Sequence, residues 1–576
     1  MNIKYSFFHR LRRPEIGSIT LSIVVALYLV LFMNRTFWSK VFIYFHNDIF
    51  VISVFAIMLT AVFMVLTIAF SVKYLIKPIF IFLILVASTA SWFTDRFGAV
   101  INVEMIRNVM ETTTAEARGL ITFSFIFHLF CTGIIPSFLI AAVRIRHRNW
   151  RLKAVCNLAV IIPLLAVVIV AGMSISRQLI STVREHSDIR RLINPAVPIT
   201  SAVKYVLANT GSQPVVITPL GLDAKVHNAS DAARIPRVLI VVAGETARAA
   251  NFSLGGYMRQ TNPGLARRNV LYFGNTTSCG TATAQSIPCM FSVFSRKEFS
   301  HEKGRSTETL PDVLEHAGIY VEWWENNTGS KGVADRVKTV EFYGSSIPGF
   351  CNGGECQDGI MLEKIGPWLD GVKSDSVLFI HQIGSHGPAY FRRYPEKFRR
   401  FRPDCREIEF STCSLEEIRN AYDNSILYTD YFLSRLIDAL AARSRNMDAA
   451  MVYMSDHGES LGENGIYLHG APYMFAPVEQ THIPFVLWMA PGFARSAGID
   501  RACLEKAAAF VPLSHDNLFP SVLSMMNVDT SIRDDNLNLF AQCTYGHAAD
   551  RDNIKNENSA LAGGATDQTG IYSGKN

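Results

Sequence analysis

The chain has 576 residues, 49% of them hydrophobic, with ten cysteines and a formal net charge of +6. That length exceeds what a single hydrophobic core fills, so at least two domains are expected. A charge this small on so long a chain gives no ground for nucleic-acid binding, and none is expected.

The first third differs from the rest. Apolar runs at Ser18 to Met33, Ile49 to Val72, Ile79 to Thr94, Thr122 to Ala142 and Ala154 to Ile175 approach the ~20 residues that cross a bilayer. They predict an α-helical transmembrane domain of five helices over residues 1–175. The first and third runs are short, and each also reads as a buried or re-entrant helix. The first lacks a small-residue cleavage site and is followed by further spans, which speaks against a signal peptide.

Orientation follows from charge. Lys4, Arg10, Arg12 and Arg13 precede the first run, Lys73 and Lys77 follow the second, and Arg144, Arg146, Arg148, Arg151 and Lys153 follow the fourth. The positive-inside rule puts these segments in the cytoplasm. The mixed-charge loop from Asp95 to Ile121, and everything after Ile175, then lie outside. Six cysteines in close pairs point independently to an oxidising compartment.

Residues 176–236 read as a connector at the membrane surface, or as a plain linker. Residues 237–548 alternate short apolar strands with helices, which predicts an α/β sheet domain. The strands expected are Val238 to Val242, Tyr320 to Trp324, Val377 to Ile380, Met451 to Met454 and Pro484 to Met489. The longest helix opens on Ser414 and Glu417 as a capping box and carries Ile418, Tyr422, Ile426, Leu433, Ile437 and Leu440 at helical spacing. Residues 549–576, rich in Asp, Asn, Gly and Ser, are expected to be a disordered tail.

Three stretches carry chemistry. TTSCGTATAQSIPCMFS, from Thr276 to Ser292, sets Thr281 behind a glycine and between Cys279 and Cys289, whose spacing allows a disulfide around a tight loop. A threonine hydroxyl needs a base or a metal to lose its proton at neutral pH. VLIVVAGET ends in Glu245, and MVYMSDHGES holds Asp456, His457 and Glu459. Each follows a buried strand, so these side chains are expected to gather at the carboxyl edge of a parallel sheet. Two carboxylates and an imidazole suit zinc, with the Thr281 oxygen as fourth ligand. Taken alone, an Asp-His pair after a strand is more often a turn or cap.

Further candidates follow other strands. WWENNTGSKG places Ser330 and Lys331 where a cation can hold a phosphate, although a solvated loop lysine is commoner. His381, His386 and His469 lie in strand-end loops and suit a phosphate or second-metal site. Cys351 with Cys356 and Cys405 with Cys413 fit disulfides, zinc being the alternative. Spacing leaves the pairing of Cys503 with Cys543 undecided, and Cys131 and Cys156 read as apolar packing.

Together, GETARAANFSLGGYMRQTNP, TTSCGTATAQSIPCMFS, NNTGSKGV, HQIGSHGPAY and SDHGESLGENGIYLHGAP, in this order behind five apolar runs, resemble the phosphoethanolamine transferases that modify lipid A. The resemblance covers nearly the whole chain before the tail. It implies a catalytic domain of the alkaline phosphatase and sulfatase type, anchored in the bacterial inner membrane and facing the periplasm. It implies Thr281 as the nucleophile that becomes phosphoethanolaminylated, and Glu245, Asp456, His457 and Thr281 as ligands of a catalytic Zn2+. It further implies that Lys331, His386, His469 and Ser330 contact the phosphoethanolamine group or an additional zinc, and that Asn108, Thr112 and Glu116 hold the lipid donor. Phosphatidylethanolamine is then the donor and lipid A the acceptor, with the bilayer as partner and the chain acting as a monomer.

Several rivals remain at this level. The acceptor can instead be a core heptose, a Kdo sugar or a periplasmic glucan. Lipoteichoic acid synthases resemble the layout but not the paired cysteines around CGTATA, and a sulfatase would need a Cys-x-Pro-x-Arg signature in the nucleophile loop. A membrane sensor that only binds zinc or a lipid is the alternative outside the enzymes.

Overall fold

The computed structural model describes residues 14–111, 117, 120–146, 148–210, 216–227, 234–344, 347–352 and 354–544. Thr112, Glu116 and the tail expected from Ala549 lie outside the described residues. Contacts divide the chain into two compact units. The first is Met1–Gln213 with Ile408–Cys413 and Ser460–Phe475; the second is Pro214–Glu407, Ser414–Glu459 and Ala476–Asn576.

The first unit is helical: α1 Ser18–Phe32, α2 Arg35–Tyr44, α3 Ile49–Ala69, α4 Ile76–Phe97, α5 Val103–Glu111, α6 Phe123–Ala142, α7 Trp150–Ser174, α8 Ser176–Glu185 and α9 Ala196–Asn209. Among the described residues α3, α4, α6 and α7 are each long and apolar enough to cross a membrane. A fifth crossing is made if α1 and α2, bent by 64° against each other, form one span. The run at Ile79 to Thr94 is longer than expected, since polar residues at both ends join the 22-residue α4.

The break after α1 has a specific cause. Asn34 donates its side-chain amide to Leu29 O (2.8 Å) and Asn194 O (2.9 Å), and its own oxygen takes the Asn194 N–H. Asn194 in turn donates to Met33 O and Ala87 O, at 2.9 and 2.7 Å. Backbone groups freed by a kink inside apolar surroundings need such partners. α6 is interrupted by a wider π turn over Leu129–Ile134. There the Tyr28 hydroxyl donates to Thr132 O at 2.6 Å, and Ser88 Oγ and Thr132 Oγ1 are 2.7 Å apart, which satisfies locally what the irregular turn releases.

The second unit is built on eight strands: β1 Arg237–Gly244, β2 Leu271–Thr277, β3 Tyr320–Glu325, β4 Lys338–Glu341, β5 Ser376–His381, β6 Asp448–Ser455, β7 His482–Met489 and β8 Leu513–Ser514. They form one sheet in the order β8-β2-β7-β6-β1-β5-β3-β4. All neighbours are parallel except β7, which runs against both β6 and β2. Every residue of β1 and β6 is buried, as expected of central parallel strands covered on both faces. Leu239, Val241 and Phe379 pack there with Phe291 and Trp323 in one apolar cluster.

The five expected strands are present. β2, β4 and β8 were not legible, because β2 carries Gly274 and Asn275 in mid-strand, β4 is a largely exposed edge, and β8 has two residues. The long helix is α11 Leu415–Ala441, opened by the reciprocal bonds of Ser414 and Glu417. Its six predicted apolar positions are all buried.

Cys279–Cys289 and Cys351–Cys356 are disulfides, and Cys503–Cys543, which spacing left open, is a third. Cys405 and Cys413 are disulfide-bonded as well, while Cys131 and Cys156 are free.

Candidate metal centre and active site

β1 and β6 are adjacent and in register, with Gly244 opposite Ser455. The residues that follow, Glu245 and Asp456, therefore emerge side by side at the carboxyl edge of the sheet, as strand-end site residues do in such folds. With His457 they form a buried group whose ligand atoms lie within 4.8 Å of one another. His457 Nε2 is 3.3 Å from Asp456 Oδ2 and 3.5 Å from Glu245 Oε1.

The local backbone aims each group. Thr246 takes a left-handed conformation, φ 58°, unfavourable for a β-branched residue; this turns its N–H to Asp456 Oδ1 at 3.1 Å. The His457 N–H donates to the same oxygen at 2.7 Å. Asp456 Oδ2 is left buried without a hydrogen-bond partner. His457 Nδ1 lies 2.9 Å from Gly458 O, which assigns the ring proton to Nδ1 and leaves the Nε2 lone pair facing the carboxylates. Burial, then the charge of Glu245, push the Asp456 carboxyl well above its ordinary range. Two buried carboxylates, an orphaned oxygen and an imidazole lone pair are a donor set that fits a divalent cation.

A hydroxyl completes the group, and it belongs to Thr283. Its Oγ1 lies 3.3 and 3.1 Å from the two Glu245 oxygens and 3.3 Å from His457 Nε2. Thr283 is the first residue of α10, Thr283–Met290, so its hydroxyl stands at the amino end of a helix, where unpaired N–H groups favour negative charge. Thr281, chosen from the sequence, is buried two residues upstream, before the helix begins. No plain signal marks this helix start in the sequence, since Pro288 lies inside α10 and no side chain caps its first turn.

Two residues that sequence reasoning missed hold this arrangement. Asn327 donates to Glu245 Oε2 at 2.6 Å and to Gln382 O at 3.0 Å, and approaches His381 Nε2 at 3.2 Å. His381 is thus one step behind Glu245, with its Nδ1 on Glu325 at 3.0 Å. His515 accepts the Cys279 N–H at Nδ1 and donates from Nε2 to Ser455 O, at 3.0 and 2.8 Å. It ties the threonine loop to the end of β6, and burial lowers it to about 4, so it stays neutral as this double role requires. Asn327→Ala is expected to weaken metal binding by about 10–100-fold, the usual scale for a group orienting a ligand; titration with a competing chelator measures it.

The other expected site residues lie on separate segments of the chain. The His386 loop leans on the metal group: Ser385 N–H donates to Glu245 O at 3.0 Å, and a Cβ on Gly384 (φ 47°) would meet that oxygen at 2.6 Å. His386 is buried, and its carbonyl accepts from Arg393 Nε at 2.7 Å. The Lys331 ammonium donates to Thr328 O at 2.8 Å, and Ser330 Oγ accepts the Ala334 N–H. In the first unit, His469 precedes Gly470, whose added Cβ would lie 3.6 Å from Asn108 Nδ2 on α5.

A membrane-embedded helical unit and a parallel-sheet domain with a buried Glu-Asp-His-Thr group at its strand ends define a membrane-anchored protein of the sulfatase class. Residues 237–528 match the Sulfatase family, and residues 58–210 match the family described as Phosphoethanolamine transferase EptA/EptB. The chain belongs to the phosphoethanolamine transferase family. It is 37% identical to phosphoethanolamine transferase EptA of Salmonella typhimurium, over 90% of this chain and 96% of the relative. It is 35% identical to phosphatidylethanolamine transferase Mcr-1 of Escherichia coli, over 90% of this chain and 96% of that one. Among solved structures, the integral membrane protein lipooligosaccharide phosphoethanolamine transferase A (EptA) from Neisseria meningitidis superposes with a TM-score of 0.88 at 34% identity, covering 92% of this chain and 100% of that one.

Proposed function

We propose that this chain transfers phosphoethanolamine from phosphatidylethanolamine to a phosphate of lipid A, through a covalent ester on Thr283. The observation that carries this reading is the Thr283 hydroxyl within 3.3 Å of both Glu245 and His457 at a helix amino end, in a chain of this family. On this reading the nucleophile is Thr283 in place of Thr281.

Glu245, Asp456, His457 and the Thr283 oxygen would hold Zn2+, which, when bound, lowers the pKa of the hydroxyl and polarises a phosphoryl oxygen. Thr283 Oγ loses its proton to water and attacks phosphorus, the bond to the diacylglycerol oxygen breaks, and that oxygen takes up a proton from His386 or His469. Lys331 and the amino end of α10 offset the negative charge on the phosphoryl oxygens. Ser330 contacts the phosphoethanolamine group, and Asn108, Thr112 and Glu116 hold the donor. A lipid A phosphate oxygen then displaces Thr283 from phosphorus, and the freed Oγ takes a proton back from water, which restores the hydroxyl. Two displacements at one group give ping-pong kinetics.

The basic segments around α3, α4, α6 and α7 support a catalytic domain on the periplasmic side of the inner membrane. The product carries less negative charge, so the cell surface attracts cationic peptides such as polymyxin less strongly. Mass spectrometry of lipid A and core from a Gram-negative host expressing the chain tests the acceptor. One phosphoethanolamine adduct on lipid A is expected; an adduct confined to core sugars or glucans would replace the acceptor, and none on any of these would return the chain to a binding role.

A further inference from the structure

The second unit holds a cavity of about 610 Å³, a volume typical of ligand sites, and its walls are continuations of the active-site segments. From Glu245 and Thr246 the chain runs on to Ala249 and Ala250, which line it. The threonine loop arises from β2, whose Tyr272 and Gly274 line it too. Glu479 and Gln480, whose carbonyls accept the N–H groups of Glu459 and Gly458, lead directly into His482 on a further wall.

The polar groups of this cavity are unlike those of the metal centre. Arg259 is fixed by Asn420 and by the buried Asp423, at 2.6 and 2.9 Å, and lies over the Phe401 ring at 5.5 Å. Arg419 also lines the cavity; it is exposed and makes no ion pair or hydrogen bond among the described residues. Two guanidinium groups, one of them unengaged, select an anion, and phosphate is the oxyanion their fork geometry matches.

Resting on the transferase reading, we propose that this cavity is the seat of a second, non-reacting phosphorylated sugar of the acceptor, held by Arg419 and Arg259. An acceptor with two phosphorylated sugars would be gripped here by one while the other reaches Thr283. An anionic phospholipid headgroup offers the same phosphate chemistry, and the two sources separate because the reaction has two halves.

The test uses the full chain in lipid nanodiscs. The first half is read as covalent adduct and diacylglycerol release from fluorescent phosphatidylethanolamine. The second is read as transfer to bis-phosphorylated or mono-phosphorylated lipid A. Arg419→Glu is expected to raise KM for the bis-phosphorylated acceptor by about 10–100-fold, the scale of a lost charge-assisted contact. It should also erase the preference over the mono-phosphorylated one, with adduct formation changed less than about twofold. Arg419→Ala, which removes the charge without reversing it, should raise the same KM by several-fold. An acceptor KM unmoved by both variants overturns the proposal. A slowed first half with an unchanged second assigns the cavity to the phospholipid and also overturns it. Wild-type protein that forms no phosphoethanolamine adduct at all defeats the transferase reading itself, and the acceptor seat falls with it.

Discussion

Thr283→Ala is expected to abolish transfer, lowering kcat/KM by about 10⁴-fold or more, the scale on which removing a nucleophile acts, while Thr281→Ala keeps roughly a tenth or more of the activity. The two threonines flank Ala282, and the Thr283 hydroxyl lies 3.1–3.3 Å from the Glu245 oxygens and His457. Intact-protein mass spectrometry after incubation with phosphatidylethanolamine checks this directly. Wild type and Thr281→Ala should gain the mass of one phosphoethanolamine group, and peptide mapping should put it on Thr283. An adduct that survives in Thr283→Ala and is lost in Thr281→Ala would return the nucleophile to the upstream residue.

The second large effect concerns the two carboxylates. Asp456→Asn is expected to weaken zinc binding by more than about 100-fold, since partners that merely orient a ligand already cost about 10–100-fold. Activity should fall with it. Without a cation the wild-type centre buries two carboxylates side by side, and Asp456 is pushed well above its ordinary range by burial and by Glu245. A carboxyl raised in the folded state binds its proton more tightly there than when unfolded, so metal-free stability falls as pH rises past the ordinary carboxylate range. Asp456→Asn removes that repulsion. The variant should melt higher than wild type when both are stripped by chelator at pH 7, and lower than wild type when both are given zinc. Full zinc content together with full activity in Asp456→Asn would sink the assignment of the centre.

The sequence revealed the carboxylates and histidine of this centre more readily than its hydroxyl. Glu245 and Asp456 follow uninterrupted apolar runs, and in a parallel sheet the residue after such a run has only one place to go. The five strands and the long capped helix were legible for the same reason: their burial is written in continuous or periodic apolar residues. Thr283 was not, because neither Thr-Ala-Thr spacing nor the adjacent glycine says where the chain turns into a helix. Asn327 and His515 were invisible for another reason: a side chain that reaches a ligand through one hydrogen bond from a distant loop leaves no pattern in its own neighbourhood. The kink at Asn34 needed Asn194, 160 residues away, to become interpretable.

The strand order also fixes a timetable. β1 lies between β5 and β6, and the bond from Thr246 to Asp456 joins positions 210 residues apart. At about 5–20 residues per second of synthesis, β1 exists for about 10–40 s before β6 has been made. Throughout that interval an eight-residue strand destined for complete burial has an open hydrogen-bonding edge, the kind of surface on which chains associate wrongly. The newborn chain must be sheltered until its last central strand arrives, and a product truncated before Asp448 can never close that edge or form the centre beside it.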